Sequence, residues 1–343
     1  MRDDLNIDTG PYSSNSEIAE NVLELVGKTP LLRLKRYLNQ TDVNLIAKIE
    51  ALNPGGSAKD RPARYMIEQA LKERQLVPGD TVVESSSGNM GIGLAQTCAV
   101  HGLNFICVVD PNAQSQNVEI IRALGGKIEL VEHAVEGDFL AARLERVAKL
   151  LRESPDRYWP NQYANKNNPA AHACSTIVEI DDALPNQVDY LFVACSSTGT
   201  AQGCRDYLRE QGRKTNVVAV DAMGSTLFNG TAGKRKISGM GAGRLPELAQ
   251  GQTFDDLVRV ADVTCVAGCR RAVAKEGLLV GGSGGGVLEA VRGMQNQLAG
   301  KTAVAIIHDS GSRYLGTVFD TQWIQRELGT SEAEIRKLAG LDD

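Results

Sequence analysis

The sequence predicts an α/β protein of two lobes, each a largely parallel twisted sheet flanked by helices. Short apolar runs typical of buried strands alternate along the chain with amphipathic runs typical of helices, as in parallel sheets covered by helices. The 343 residues, 42% hydrophobic and 23% charged, suffice for two lobes that share one cleft. Glycines gather in the segments that follow the strands, where such sheets hold their ligands.

The elements follow from periodicity. The predicted strands are 43–49, 80–85, 104–110, 126–132, 188–195, 215–222 and 301–309. The predicted helices are 63–74, 91–102, 115–126, 139–153, 199–212 and 283–300. We expect a flexible tail over 1–15, a larger cofactor-binding lobe from 16–45 plus 156–330, a smaller mobile lobe over 46–155, and a C-terminal helix or tail over 331–343.

Composition excludes several classes of function. A net charge of −5 and a pI near 5.6 give no electrostatic basis for binding nucleic acid or an anionic membrane. No apolar run approaches the ~20 residues that span a bilayer, and the polar, acidic start is unlike a signal peptide. Seven scattered cysteines indicate reduced thiols and cytoplasmic residence. Cys265 and Cys269 lack a second pair of ligands, which disfavours a zinc site.

Lys59 occupies an unusual position. It lies in "NPGGSAKDRPARYMIE", between a glycine turn and Pro62, and a proline is tolerated only near a helix start. The positive end of the helix dipole would lower the pKa of this lysine, and a neutral lysine can form a Schiff base with an aldehyde. The alternative is an ordinary solvated charge.

Three glycine-rich loops offer groups that suit anions. "ESSSGNMG" carries Asn89 near a helix start, "CSSTGTAQG" carries residues 196–200, and "GGSGGGV" carries Ser283. None has the pattern of a nucleotide-binding loop. Each has a simpler alternative: a turn-tolerant asparagine, a helix cap, and a flexible turn.

In this order the motifs resemble the fold-type II pyridoxal-phosphate enzymes of the cysteine synthase and cystathionine β-synthase group, whose fold is like the tryptophan synthase β-subunit. The resemblance covers residues 20–325. It implies that Lys59 binds the cofactor as a Schiff base and removes the substrate Cα proton, and that Asn89 bonds the pyridoxal 3′-oxygen. It further implies that Ser283 faces the pyridine nitrogen. The phosphate would be held by Ser196, Ser197, Thr198, Gly199 and Thr200, and the substrate carboxylate by the turn of Ser86, Ser87 and Gly88.

Departures from the usual cysteine synthase pattern indicate a larger, more polar second substrate than sulfide. Met90 replaces the last threonine of the substrate loop, and Ser196 and Tyr163 add hydroxyls beside the cleft. Arg143 and Arg244 are candidate partners for a second carboxylate or a leaving phosphate. The alternative for Arg143 is a helix-surface cation.

Together with "YWPNQYAN" and "GSRYL", these features look most like the narrower group that joins O-phospho-L-serine and L-glutamate into N-(2-amino-2-carboxyethyl)-L-glutamate and phosphate. That group serves 2,3-diaminopropionate and siderophore biosynthesis, and the resemblance also implies a homodimer. Two alternatives stay open. One is cysteine synthesis from O-acetylserine or O-phosphoserine with sulfide, and the other is a non-catalytic regulatory homologue.

Overall fold

The computed structural model describes residues 18–39, 41–135 and 137–341, and the tail predicted at 1–15 lies outside these ranges. The strands are β1 (Leu31–Arg33), β2 (Asn44–Ile49), β3 (Thr81–Ser85), β4 (Asn104–Val109), β5 (Lys127–Leu130), β6 (Tyr190–Ala194), β7 (Asn216–Ala222), β8 (Asp256–Val260) and β9 (Thr302–Ile307). The helices are α1 (Asp60–Lys72), α2 (Asn89–Val100), α3 (Ser115–Ala123), α4 (Phe139–Glu153), α5 (Asn167–Ala171), α6 (Ile177–Ala183), α7 (Gly199–Glu210), α8 (Asp262–Glu276), α9 (Gly282–Gly293), α10 (Thr321–Trp323) and α11 (Glu332–Leu338).

The larger sheet has the strand order β1-β2-β9-β6-β7-β8, and all its pairs are parallel except β1 with β2. Successive side chains of a strand point to opposite faces, so the sheet is buried on both sides. In β2, Ala47 and Ile49 pack into the core shared with α8 and α9, whereas Ile46 packs into the core shared with α6 and α7.

The smaller sheet is parallel, in the order β3-β4-β5. Helices α1, α2 and α3 cover one face, and α4 covers the other, where Val147 and Leu150 pack on Val83, Ile106 and Val108. Two helix-flanked, parallel-dominated sheets confirm the predicted fold class. Within the described ranges, no helix is long and apolar enough to cross a membrane.

The predicted boundary between the lobes, at residues 45 and 46, falls inside β2. Strand β2 pairs with β9 along its whole length, so residues 46–49 belong to the larger sheet rather than to the smaller lobe. Its apolar run is continuous and its partner lies far along the chain, so no local signal marks the boundary. At the other end, Ile335 and Ala339 are buried in the core of the larger lobe.

Candidate active site

Three of the predicted site loops meet at Asp309, which follows the carboxyl end of β9. Ser57, two residues before Lys59, forms an isolated β-bridge with Asp309. The Gly281 N–H, two residues before Ser283, donates to the Asp309 carbonyl at 3.2 Å, and Asn89 Nδ2 donates to Asp309 Oδ2 at 2.7 Å. The carboxyl ends of parallel strands are the usual place for a ligand site.

Lys59 directly precedes α1, and its loop is fixed on both sides. The Ala58 N–H donates to the His308 carbonyl at 2.8 Å, which ties the loop to the end of β9. On the helix side, Asp60 Oδ2 accepts from the Gly55 N–H at 2.5 Å, so the glycine turn is closed by the first residue of the helix. The lysine backbone is therefore held in place before any ligand binds.

Burial is the largest cause of the lowered pKa of Lys59. Asp309, Glu50 and Cys195 oppose it, because nearby negative charge favours the ammonium form. The predicted direction of the shift agrees with the structure, but desolvation rather than the helix dipole leads. A lowered pKa increases the neutral fraction that can act as nucleophile or base.

A buried ionic network holds the start of α1. Arg61 Nε lies 2.7 Å from Glu50 Oε2, and Arg61 Nη1 lies 2.7 Å from Glu179 Oε1. Lys48 Nζ lies 2.6 Å from Glu179 Oε2. Removing one partner of such a network would leave an uncompensated buried charge. The network thus joins β2, α1 and α6 behind Lys59.

The side chain of Asn89 is held from both ends. Its Oδ1 accepts from Arg313 Nη1, and one Nδ2 hydrogen is donated to Asp309. Tyr314 Oη donates to the same Asp309 oxygen at 2.5 Å. An amide nitrogen carries two hydrogens, so one remains for a ligand. The orientation of Asn89 suits a fixed donor.

Residues 196–200 form an open cup of donors. Thr198 has φ +68°, in the left-handed region, so the chain turns sharply into α7. Among the backbone hydrogen bonds of the described residues, none is donated by an N–H of residues 196–200. The Thr198 hydroxyl is buried without a partner. Unpaired N–H groups at a helix start suit a phosphate dianion.

A second layer of side chains supports this cup. Asn168 Nδ2 lies 3.3 Å from Ser197 Oγ and donates to the Gln162 carbonyl at 2.7 Å. His172 Nε2 lies 3.2 Å from Thr200 Oγ1. Burial holds the pKa of His172 well below its usual range, so the ring is neutral and adds no charge under the cup.

Ser283 lies in the first turn of α9 and is buried. The loop before it requires glycine, because a Cβ on Gly281 would overlap Asp309 Oδ1. Close backbone approach therefore brings α9 against the carboxylate that also holds Asn89.

These features fit pyridoxal phosphate. Asp309 Oδ1 and Thr198 Oγ1 are both buried polar atoms without partners, as expected for groups that a ligand satisfies. The open N–H groups of the cup match a phosphate, and Lys59 supplies an amine for an aldehyde.

A cavity of about 640 Å³ adjoins the cup. It lies between the lobes, with α4 on one side and residues 241–247 on the other. Ser196, Tyr163, Arg143 and Arg244, all predicted at the substrate site, line it together. Lys59, Asn89 and Ser283 do not line it, so Ser196 is the predicted residue that the cup and the cavity share.

Two of the cavity arginines have acidic partners. Arg143 Nε lies 3.1 Å from Asp110 Oδ2, although without the alignment of a hydrogen bond. Arg244 Nη2 lies 2.7 Å from Asp138 Oδ2. Arg143 is mostly buried, with 14% of its side chain exposed, which disagrees with the helix-surface alternative.

The side chain of Met90, predicted at the substrate, is 1% exposed and packs in the core between α1, α2 and the smaller sheet. It does not line the cavity, and its contact with the first substrate stays a prediction. The turn of Ser86, Ser87 and Gly88 directly follows β3, and Ser86 Oγ accepts from the Gly91 N–H at 3.1 Å. Ser87 and Gly88 are half-buried in the same turn.

Asp309, Arg313 and Arg235 were missed from the sequence. Asp309 is the last residue of the predicted strand 301–309, so its position at a strand end was an available signal. Arg313 and Arg235 lie in irregular segments without periodicity, and their proximity to Asn89 and to the cavity depends on long-range packing.

Comparisons with known proteins agree with this geometry. Residues 22–309 match the model of the family described as pyridoxal-phosphate dependent enzyme. A protein of Ralstonia nicotianae named N-(2-amino-2-carboxyethyl)-L-glutamate synthase is 40% identical over 311 residues, which cover 90% of this chain and 92% of the relative. A protein of the same name from Cupriavidus metallidurans is 40% identical over 318 residues, with the same coverage.

Among solved structures, a hydrogen sulfide-producing enzyme from Fusobacterium nucleatum superposes with a TM-score of 0.83 at 32% identity. The match covers 88% of this chain and 99% of that one.

Proposed function

The chain belongs to the pyridoxal-phosphate dependent enzymes, and from this we propose that it joins O-phospho-L-serine and L-glutamate into N-(2-amino-2-carboxyethyl)-L-glutamate with release of phosphate. The product consists of a glutamate nitrogen bonded to the β-carbon of a three-carbon amino acid. The reaction is therefore a β-replacement with an amine as nucleophile.

The cavity carries this proposal. Its arginines, Ser196 and Tyr163 would suit an anionic, polar second substrate, whereas sulfide needs neither the volume nor the charges. The names of the two relatives at 40% identity support the same product.

We assign the cofactor to Lys59, Asn89, Ser283 and residues 196–200. When bound, pyridoxal phosphate supplies the electron-withdrawing system that lets a Cα proton and a β-leaving group depart. Lys59 Nζ takes that proton and returns it, helped by its lowered pKa. Asn89, fixed by Arg313 and Asp309, orients the ring by its free N–H.

The remaining groups bind the substrates. The turn of Ser86, Ser87 and Gly88 donates N–H groups to the carboxylate of the first substrate. Ser196, Tyr163 and Arg143 receive the leaving phosphate on the cavity side, and the second amino acid then enters the same space. The two lobes on either side of the cavity exclude water while a reactive intermediate is present.

We also place this reaction in 2,3-diaminopropionate and siderophore biosynthesis, in a homodimer in the cytoplasm. The seven cysteines are free and six of them are buried, which supports a reducing compartment. Family resemblance supports the dimer.

The test adds O-phosphoserine to the holoenzyme, follows the cofactor absorbance and phosphate release, and then adds glutamate or sulfide to separate portions. We expect phosphate release before glutamate is added, and a carbon–nitrogen adduct of the expected mass afterwards. If only sulfide discharges the intermediate, giving cysteine, the proposal fails and cysteine synthesis replaces it.

A further inference from the structure

Arg235 lines the cavity and has no acidic partner. Within the described ranges, no carboxylate oxygen lies within 4.0 Å of a guanidinium nitrogen of Arg235, the limit for an ion pair. Its buried Nε atom also has no hydrogen-bond partner. The other two cavity arginines are neutralised by Asp110 and Asp138. Arg235 is therefore the unpaired cation of the cavity wall in the described part of the chain.

The guanidinium group packs against a glycine-rich backbone. A Cβ on Gly241 would lie 2.7 Å from Arg235 Nη1, and a Cβ on Gly243 would lie 3.3 Å from Nη2. Larger residues at these positions would displace the arginine, so the glycines leave the space that it occupies. The same backbone is tied to the cup, since Ser196 Oγ donates to the Gly241 carbonyl at 3.1 Å.

The group is also partly desolvated. Burial lowers the pKa of Arg235, against the opposing effect of Asp221, Asp262 and Tyr163, yet an arginine keeps its charge. A half-buried guanidinium without a partner binds an anion more strongly than a solvated one, because part of its hydration is already lost.

Its position favours the second substrate over the first. Arg235 lines the cavity with Tyr163 and Arg143, and Lys59 does not line it. Burial raises the pKa of Tyr163, and the positive charges of Arg143 and Arg235 both oppose that shift. Arg235 thus belongs to the outer cavity, where the far end of a long acceptor lies when its amine faces the reacting carbon.

We propose that Arg235 binds the distal carboxylate of a dicarboxylic amino-acid acceptor and thereby selects that class of second substrate. This inference deepens the proposed function and rests on it for the identity of the acceptor. Arg143 and Ser196 then serve the leaving phosphate, and Arg235 acts after the phosphate has departed.

The test compares wild type with Arg235→Gln, Arg235→Lys and the control Lys236→Gln, which removes the next cation along the chain, one that is paired with Glu327 and lies outside the cavity lining. The half-reaction with O-phosphoserine is measured first, and the discharge by glutamate is measured as a function of its concentration. Glutarate, a dicarboxylate without an amine, and butyrate are titrated into each holoenzyme by calorimetry.

For Arg235→Gln we expect about a tenfold rise in the glutamate concentration at half-maximal rate and about a tenfold weaker affinity for glutarate, the size of one charge-assisted hydrogen bond. Butyrate affinity and the first half-reaction change less than about twofold by the same reasoning. For Arg235→Lys we expect a glutarate affinity between those of wild type and Arg235→Gln, because lysine keeps the charge but lacks the planar guanidinium that binds a carboxylate through two N–H groups. Lys236→Gln leaves glutarate affinity within about twofold, because its charge is paired with Glu327 and lies outside the cavity.

Unchanged glutarate affinity in Arg235→Gln would overturn the inference. A loss of rate confined to the O-phosphoserine half-reaction would also overturn it, and would assign Arg235 to phosphate binding. The calorimetric titration does not depend on turnover. If wild type forms no adduct with glutamate, the proposed function fails, and the glutarate comparison still decides whether Arg235 is a carboxylate site.

Discussion

Arg244 Nη2 lies 2.7 Å from Asp138 Oδ2, and this ion pair joins the two lobes at the cavity. Asp138 also caps α4, where its Oδ1 accepts from the N–H groups of Leu140 and Ala141 at 2.8 and 3.1 Å. Against the raising effect of burial, the bond from Ala141 and the charge of Arg244 hold the pKa of Asp138 below its usual value. The pair is thus fixed on the side of the smaller lobe.

Removing this pair should let water reach the reaction. Arg244→Gln keeps the cap of α4 intact, and we expect a two- to fivefold larger fraction of O-phosphoserine to be lost as pyruvate, about what an exposed pair worth up to ~1 kcal/mol allows. The measurement is pyruvate release against adduct formation. Lys236→Gln is the matched control, because the Lys236–Glu327 pair of 2.7 Å lies within the larger lobe. Equal pyruvate release in both variants would refute a role for the pair in closure.

Replacing Lys59 should separate cofactor binding from chemistry. Lys59→Ala keeps the cup, so we expect it to bind pyridoxal phosphate without the covalent yellow chromophore and to lose at least about 1000-fold in turnover. Lys59→Arg keeps a cation but cannot form the Schiff base, and it should be equally inactive. The readouts are the absorbance spectrum, retention of the cofactor on desalting, and adduct formation. Near-normal turnover in either variant would exclude Lys59 as the proton carrier.

Asp309 should set the protonation of Lys59. Its negative charge raises the pKa of Lys59 against the lowering effect of burial. Asp309→Asn removes that charge, so the pKa of Lys59 falls further, and capture of added pyridoxal phosphate by the apoprotein should reach its maximum at lower pH. The control Tyr314→Phe removes a hydrogen bond to Asp309 but keeps the charge. A shift to higher pH in Asp309→Asn would contradict this account.

Glu84 should make stability depend on pH. Burial raises its pKa to about 7, although Trp159 Nε1 and the Gln162 N–H both donate to it at 3.1 Å. Below the ordinary pKa of glutamate, the Glu84 carboxyl is protonated in both the folded and the unfolded protein. As pH rises towards 7, the carboxyl ionises only in the unfolded protein, so the free energy of unfolding falls. The free energy of unfolding of wild type relative to Glu84→Gln should fall by roughly 3 kcal/mol from pH 4.5 to 8. A difference independent of pH, in denaturant titrations, would show that folding does not shift the pKa of Glu84.

The sequence was most informative where one element is strongly periodic. Helix α4 has the predicted bounds, 139–153, because its apolar stripe and acidic cap are local signals. Strand β8 was missed, since it is a half-buried edge strand, and β1 has only three residues. Helix α8 was also not predicted. It is buried between α9 and α11, so its apolar residues do not form the single stripe of an amphipathic helix.

For the candidate site, glycine and hydroxyl clusters at strand ends could be recognised because they depend on local sequence. Met90 was assigned to the substrate from its loop, and the structure places it in the first turn of α2 with its side chain packed in the core. Arg235 and Asp309 acquire their surroundings through contacts between distant segments. No local pattern encodes those contacts.

Asn44 pairs with Thr302 across 258 residues of chain, so β2 cannot be completed until the polypeptide is almost fully synthesised. At ribosomal speeds this is a wait of about 13 to 50 s. The smaller sheet, by contrast, uses only residues 81–130 and can form early. During translation, an apolar strand that belongs between β1 and β9 of the larger sheet lacks its β9 partner while a finished smaller lobe follows it. Chaperones that shield single strands should therefore matter more for this protein's yield than for its final stability.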